Sequence, residues 1–345
     1  LQVGRDHEYF DEKLNAEVMR KVANKCYLPA NESMLRLIDR TDGRFRISYA
    51  VTGVAIEQMR LYAPEVLDSF VRLAETGAVE FVAETYYHSL AALYDKDEYR
   101  EQIDLELKLI KSEFGQTPRV FRNTEFIYND EIGQFISDLG FEAMLIEGAD
   151  DILDWRSPNF VYSVAGRDTK LLTKNYKLSD DIAFRFSNQA WGEYPLTADK
   201  FAGWVHGHSG AGDVINLFMD YETFGEHQWK ETGIFDFLEH LPDFLFTHPH
   251  WDILTPSQVI DRYPALGELP FHRTVSWADE ARDISAWRGN AMQQRALAEI
   301  YALGPAIRKR NNSHLLALWR RLQTSDHFYY MATKSASDAE VHDYF

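Results

Sequence analysis

The feature that most restricts the folds open to this chain is an alternation. Short runs rich in β-branched and aromatic residues recur along it: "FRISYAV" (45–51), "VEFVA" (79–83), "RVFR" (119–122), "AMLIE" (143–147), "VINLFMD" (214–220) and "FHRTV" (271–275). Helical apolar spacing appears between the first three, near 54–75 and 96–114. "NDEIGQFISDLG" (129–140) opens on a capping Asn or Asp and closes on Gly140, as a helix should. A strand followed by a helix returns the chain to a parallel neighbour, so repeated βα units predict a parallel sheet. From about Trp287 the strands stop. "AMQQRALAEIYALG" and "NNSHLLALWRRLQ" predict helices, the second with Asn312 or Ser313 as its N-cap. The pattern predicts an α/β body over 1–280 and a helical region over 281–345. The stretch 148–213 is the least regular and reads as loops and short elements over the sheet edge.

The 345 residues, 45% of them hydrophobic, are enough for a barrel plus an appendage. No apolar run reaches the ~20 residues that span a bilayer. The net charge of −18 disfavours nucleic acid and anionic membranes, which attract basic faces, and suits a neutral partner. Aromatic residues make up 14% of the chain. Rings in that number build a core, and flat ring faces also stack on sugars. Cys26 is the only cysteine, so no disulfide forms within the chain. It reads as a small buried apolar residue in a reducing compartment, and with no visible signal peptide the expected location is the cytoplasm.

Acidic residues sit where the strand patterns end. Glu84 follows "VEFVA", Glu125 follows "RVFRNT", Glu147 closes "AMLIE", and Asp220 and Glu222 close "VINLFMDYE". In a parallel barrel those ends share one rim, where catalytic groups gather. Two carboxyl groups across a pocket suit glycosidic cleavage: one protonates the leaving oxygen, the other attacks the anomeric carbon or activates water. Each acid also has a plainer reading. Glu125 alone pairs with Arg122 as a structural salt bridge, and Asp220 with Glu222 competes as a metal site that His206, His208 and His227 could join. The pairs His206/His208 and His248/His250 are each followed by loop-like text, and no metal or cofactor is expected. "GHSGA" (207–211) nearly spells a serine-hydrolase elbow, but Ala211 replaces the last glycine and no clean strand precedes it.

Three stretches resemble glycoside hydrolase family 57, the α-amylase-like group acting on α-glucans. "VFRNTEFIY" (120–128) is similar to the segment that carries that family's nucleophile, which implies that role for Glu125. "FMDYETFGEH" (218–227) is similar to the segment with the general acid/base, implying Asp220 with Glu222 beside it. "QTSDHFYYM" (323–331) resembles the last motif, whose Asp falls on Asp326, and "GAVEFVAETYYH" (77–88) resembles the second, with its acid on Glu80. "VSWADEARDISAWRGN" (275–290) has the look of the amylase branch. The substrate-binding candidates are then Glu80, Glu84, His88, Arg122, Glu222, His227, Trp277 and Asp326.

The resemblance implies an incomplete (β/α)7 barrel followed by a C-terminal helical region that completes the site. It also implies retaining hydrolysis of α-1,4-glucosidic bonds in an α-glucan or malto-oligosaccharide. Gly225, among the acids of "YETFGEH", is expected to turn the backbone aside so that the sugar can approach. The family's His-Gln-Pro motif at the end of the first strand is not present, and Leu1–Phe10 resembles text that follows it, so that strand is expected outside this sequence. Three other functions compete: a 4-α-glucanotransferase on the same site, a metal-dependent polysaccharide deacetylase, and a catalytically silent carbohydrate-binding relative.

Overall fold

The structure is a computed structural model and describes residues 10–334. Leu1–Tyr9, on which the expectation about the first motif rests, lie outside the described residues. The chain enters through two helices, Glu12–Val22 and Leu28–Arg40, joined by one π-helical turn at Ala23–Tyr27. Asp11 caps the first by accepting from the Leu14 amide.

Six strands follow: β1 (Ile47–Ala50), β2 (Val79–Val82), β3 (Val120–Arg122), β4 (Ala143–Ile146), β5 (Val161–Ser163) and β6 (Lys170–Thr173). β1 pairs with β2, and the other four run in the order β3-β4-β6-β5. All these pairs are parallel except β5 with β6. A bridge between Ala83 and Phe121 joins β2 to β3, with the Arg122 amide 2.8 Å from the Ala83 carbonyl. A second bridge, Lys174 with Asn216, brings the 214–220 segment against the end of β6. The result is an incomplete barrel. From that segment back to β1 the contact is made by side chains: the Tyr49 and Tyr221 rings meet edge-on at 4.9 Å, and the Tyr221 hydroxyl donates to Asn31 at 2.6 Å.

The four expected strands over 45–51, 79–83, 119–122 and 143–147 are present in shortened form. The other two are not strands. "VINLFMD" is extended but holds only the Asn216 bridge, and its apolar residues 215 and 217–219 are half-buried. "FHRTV" pairs only through Val275 with Tyr128. Apolar runs alone cannot say whether a neighbouring strand is in register to pair. Conversely, 148–213 holds β5, β6 and the helices Tyr176–Ala183 and Ala198–Gly207. Those strands are three and four residues long, too short to show a period. The helical pattern at 54–75 is two helices, Gly53–Tyr62 and Pro64–Glu75. Pro64 has no N–H to donate and forces Ala63 out of the helical region (φ −151°). Lys96–Phe114 runs the full expected length, capped by Asp95 and ended by Gly115 in the left-handed conformation at φ 69°.

The helices after residue 285 do not build a core of their own. Trp287, Leu297 and Phe328 belong to the same buried cluster as Phe121 of β3 and Ile146 of β4. Buried Glu98 fastens this region further: Arg320 approaches it to 2.8 Å and Arg308 to 2.5 Å. Gln102 and Gln323 bond at 3.0 Å nearby. Among the described residues no helix is long and apolar enough to cross a membrane.

Candidate active site

The barrel bridge between Ala83 and Phe121 sets the geometry, because the next residues along each chain are Glu84 and Arg122. Arg122 donates from NH1 to Glu84 Oε2 at 2.6 Å, and both are buried. Glu84 Oε1 faces His88 Nδ1 at 2.9 Å, and His88 Nε2 faces Glu125 Oε1 at 2.9 Å. Glu125 Oε2 accepts from the Trp277 indole N–H at 2.6 Å, and Ser325 Oγ lies 3.4 Å from Oε1. The Trp277 ring is itself flanked by cations: the Arg122 guanidinium lies 5.1 Å from its centre and the Lys174 ammonium 5.2 Å.

The backbone is forced here. His88 (φ 48°), Glu125 (φ 56°) and Phe126 (φ 51°) all take left-handed conformations that cost a non-glycine residue about 1–3 kcal/mol. The surroundings hold them. Thr85 accepts from the His88 amide, the His88 carbonyl accepts from Ser325, and the Glu125 carbonyl accepts from Trp277. Strain of this kind gathers where a side chain must be aimed.

The two expected catalytic acids sit in opposite environments. Burial pushes Glu125 up, but the His88 hydrogen bond and charge, the Arg122 charge and the Trp277 indole outweigh it and bring the carboxyl down to about 2. Asp220 is pushed up to about 6 by partial burial and then by the neighbouring Glu222 carboxylate, with Glu125 adding to the effect and His227 and Arg122 opposing it. The residue keeps solvent exposure, yet the surrounding protein still penalises its charged form. Asp326 shares this position. It is exposed, yet partial burial raises it, and the charges of His88 and Glu125 act on it. The helical region therefore reaches this group of acids.

Other candidates lie elsewhere or act differently. Glu80 does not join the group. It lies near the start of β2, where its carboxylate accepts from the Ser257 amide at 2.9 Å and hydroxyl at 2.6 Å, at the first turn of the helix Pro256–Arg262. Four residues of extended chain, roughly 13 Å, separate it from Glu84. Two surface grooves of about 440 and 280 Å³ open at that end, beside Arg44 and Arg46 and beside Glu80 and Gln116. They share no residue with the acid group. Glu222 stands in a short turn, Tyr221–Thr223, and takes a hydrogen bond from the Tyr27 hydroxyl. His227 is exposed, with its amide on the Glu222 carbonyl at 2.8 Å. Glu147 is buried among Lys174, Arg282 and the Gly148 amide.

Gly225 is needed for a different reason than the one expected. A Cβ there would stand 1.9 Å from the Lys25 carbonyl oxygen, and φ is 119°. The acidic arm is pressed onto the π-helical turn, and the glycine makes room for backbone rather than for sugar. Cys26, fully buried in that turn, lies 3.3 Å from the Tyr221 carbonyl.

Among the described residues no three His, Cys, Asp or Glu side chains form a group that could hold a metal. His206 bonds the Leu245 carbonyl at 3.1 Å and packs on His248 and Trp251, while His208 faces Asn159. Ser209 accepts from the Trp251 indole. None of these partners is Asp220.

The sequence matches the model of Glycosyl hydrolase family 57 over residues 2–272. A protein of Methanocaldococcus jannaschii named "Putative alpha-amylase" is 48% identical over 349 residues, covering 98% of this chain and 74% of that one. The chain belongs to glycosyl hydrolase family 57. Two solved structures share the fold. A family 57 branching enzyme from Thermococcus kodakaraensis superposes with a TM-score of 0.73 at 13% identity, over 99% of this chain and 84% of that one. The α-amylase AmyC of Thermotoga maritima gives 0.66 at 15% identity, over 97% and 88%.

Two members of the site escaped the sequence reading. Ser325 stands beside Asp326 in the last motif, and its buried hydroxyl was signalled only by that adjacency. Tyr27 comes from a helical turn with no polar pattern, so nothing local pointed to its contact with Glu222.

Proposed function

We propose that this family 57 chain cleaves α-1,4-glucosidic bonds of an α-glucan with retention, using Glu125 as nucleophile and Asp220 as general acid/base. One observation carries the reading: two carboxyl groups close enough for their charges to interact are driven apart in acidity, Glu125 to about 2 and Asp220 to about 6. At pH 5, Glu125 is a carboxylate able to attack the anomeric carbon, and Asp220 still carries the proton that the leaving oxygen needs. After the glycosyl ester forms, the deprotonated Asp220 takes a proton from water, and Glu125 departs as a carboxylate. Asp326, Trp277 and His227 are the residues left to meet sugar hydroxyls and ring faces. The relative's name and the charge of −18 both favour a neutral glucan over a nucleic acid.

The test is incubation with maltoheptaose, with products sized and their anomeric form followed by NMR. Shorter sugars released with the α-configuration are expected. Sugars both shorter and longer would turn the reading to glucan transfer, the kind of outcome that a branching enzyme among the structural neighbours makes worth looking for. Release of the β-anomer would reject retention. In a complex with substrate the two carboxyl groups are expected about 5–5.5 Å apart, the spacing of direct attack.

A further inference from the structure

We propose that His88 binds no sugar and is instead a positioning residue, clamped between Glu84 and Glu125, that aims the nucleophile and carries its countercharge. The inference rests on Glu125 being the nucleophile.

The first argument is the use of the ring. Nδ1 is committed to Glu84 and Nε2 to Glu125, each at 2.9 Å. No ring nitrogen is left for a hydroxyl. A neutral imidazole has a single N–H and can satisfy one carboxylate only, whereas an imidazolium donates to both. The second argument is charge. Glu84 and Glu125 bring two negative charges and Arg122 one positive, so a protonated His88 brings this quartet to neutrality. The other acids whose charges meet the quartet are Asp326 on the C-terminal helix, Asp220 on the acidic arm and buried Glu106, which interacts with Glu84. Burial pushes His88 down, but the Glu84 charge and the hydrogen bonds with Glu125 and Glu84 outweigh it and raise the imidazole well above its ordinary value.

The third argument is aim. His88 is itself fixed, with its amide on Thr85 and its carbonyl taking the Ser325 amide at 2.9 Å. With Trp277 on Oε2 and His88 on Oε1, the Glu125 carboxylate has one orientation. When the glycosyl ester is hydrolysed, Glu125 leaves with the C–O bonding pair, and the imidazolium beside Oε1 stabilises that charge.

The experiment compares the wild type with His88→Gln and Glu84→Gln. His88→Gln keeps a donor and loses the charge. Its kcat should fall on the order of 10²-fold with KM nearly unchanged. The acid limb of kcat/KM should move up toward the ordinary carboxylate value of about 4.3, because only Arg122 and Trp277 then offset the burial of Glu125. Glu84→Gln should leave that limb in place or lower it, because His88 is still an imidazolium where Glu125 titrates and one neighbouring negative charge is gone. A raised KM with an unmoved acid limb in His88→Gln would make His88 a sugar ligand and overturn the proposal. A readout that needs no activity is NMR of protein labelled at its 12 histidines. One imidazolium should persist well above the ordinary histidine value of about 6.5 in the wild type, vanish in His88→Gln and titrate at lower pH in Glu84→Gln. Absence of that signal in the wild type overturns the proposal, even if His88→Gln does not fold. Its presence in a protein inactive on every glucan would support the clamp and count against the proposed function.

Discussion

The Glu84–His88–Arg122–Glu125 quartet and the Asp220–Glu222–His227 arm, whose charges interact, are built to opposite designs. In the quartet every carboxylate oxygen has a named donor, and two basic groups balance two acids. In the arm, Asp220 and Glu222 are like charges two residues apart, and the nearest base, His227, is exposed. Between about pH 2 and 6 the same functional group is therefore ionised on one side and protonated on the other. The difference teaches that the acidity of the two carboxyl groups is set by what surrounds them, since Asp is intrinsically the stronger acid and would otherwise ionise first.

The most damaging change to that comparison is Glu125→Gln. It preserves shape and removes the proposed nucleophile, so turnover should drop by ~10⁴ or more while the thermal transition is retained. Substantial residual turnover in a folded variant would take Glu125 out of the mechanism. Asp220→Asn comes next. Loss of the proton donor should cost ~10²–10⁴ on ordinary glucosides and much less on a substrate with an activated leaving group. Equal losses on both substrates would contradict the acid role.

Glu222→Gln probes the arm without touching the proposed chemistry. Asp220 is protonated below about 6, so kcat/KM should fall as pH rises through that value in the wild type. Removing the Glu222 charge lowers the Asp220 pKa, and the alkaline limb should move to lower pH. A limb that stays put would mean that partial burial alone raises Asp220. The smallest effect is expected from Glu80→Gln, outside both regions. Activity should be unchanged, with stability lower by about 1 kcal/mol or less as the contact with the Ser257 turn weakens. A collapse of activity with an unaltered melting temperature would return Glu80 to the site.

Local chemistry made much of this protein legible in its sequence. The βα alternation and the Asn129 and Asn312 caps follow from forces acting within a few residues; the break at Pro64 is of the same local kind, although the apolar spacing ran through it as one helix. The strings around Glu125 and Asp220 were likewise readable as motifs. Depth, partnership and charge were not. Glu80 and Glu84 have the same parity on one extended run, so alternation could not send one to a helix N-terminus and the other to the quartet. Glu222 finds Tyr27 across 195 residues of chain, and Ser325 reaches Glu125 across 200. "VINLFMD" has the composition of a strand and lacks a neighbour in register. Periodicity and capping are set by bonds a turn or two apart, which any short window of sequence contains. Acidity is set by burial and by charges that meet through space, and only the folded chain brings those together.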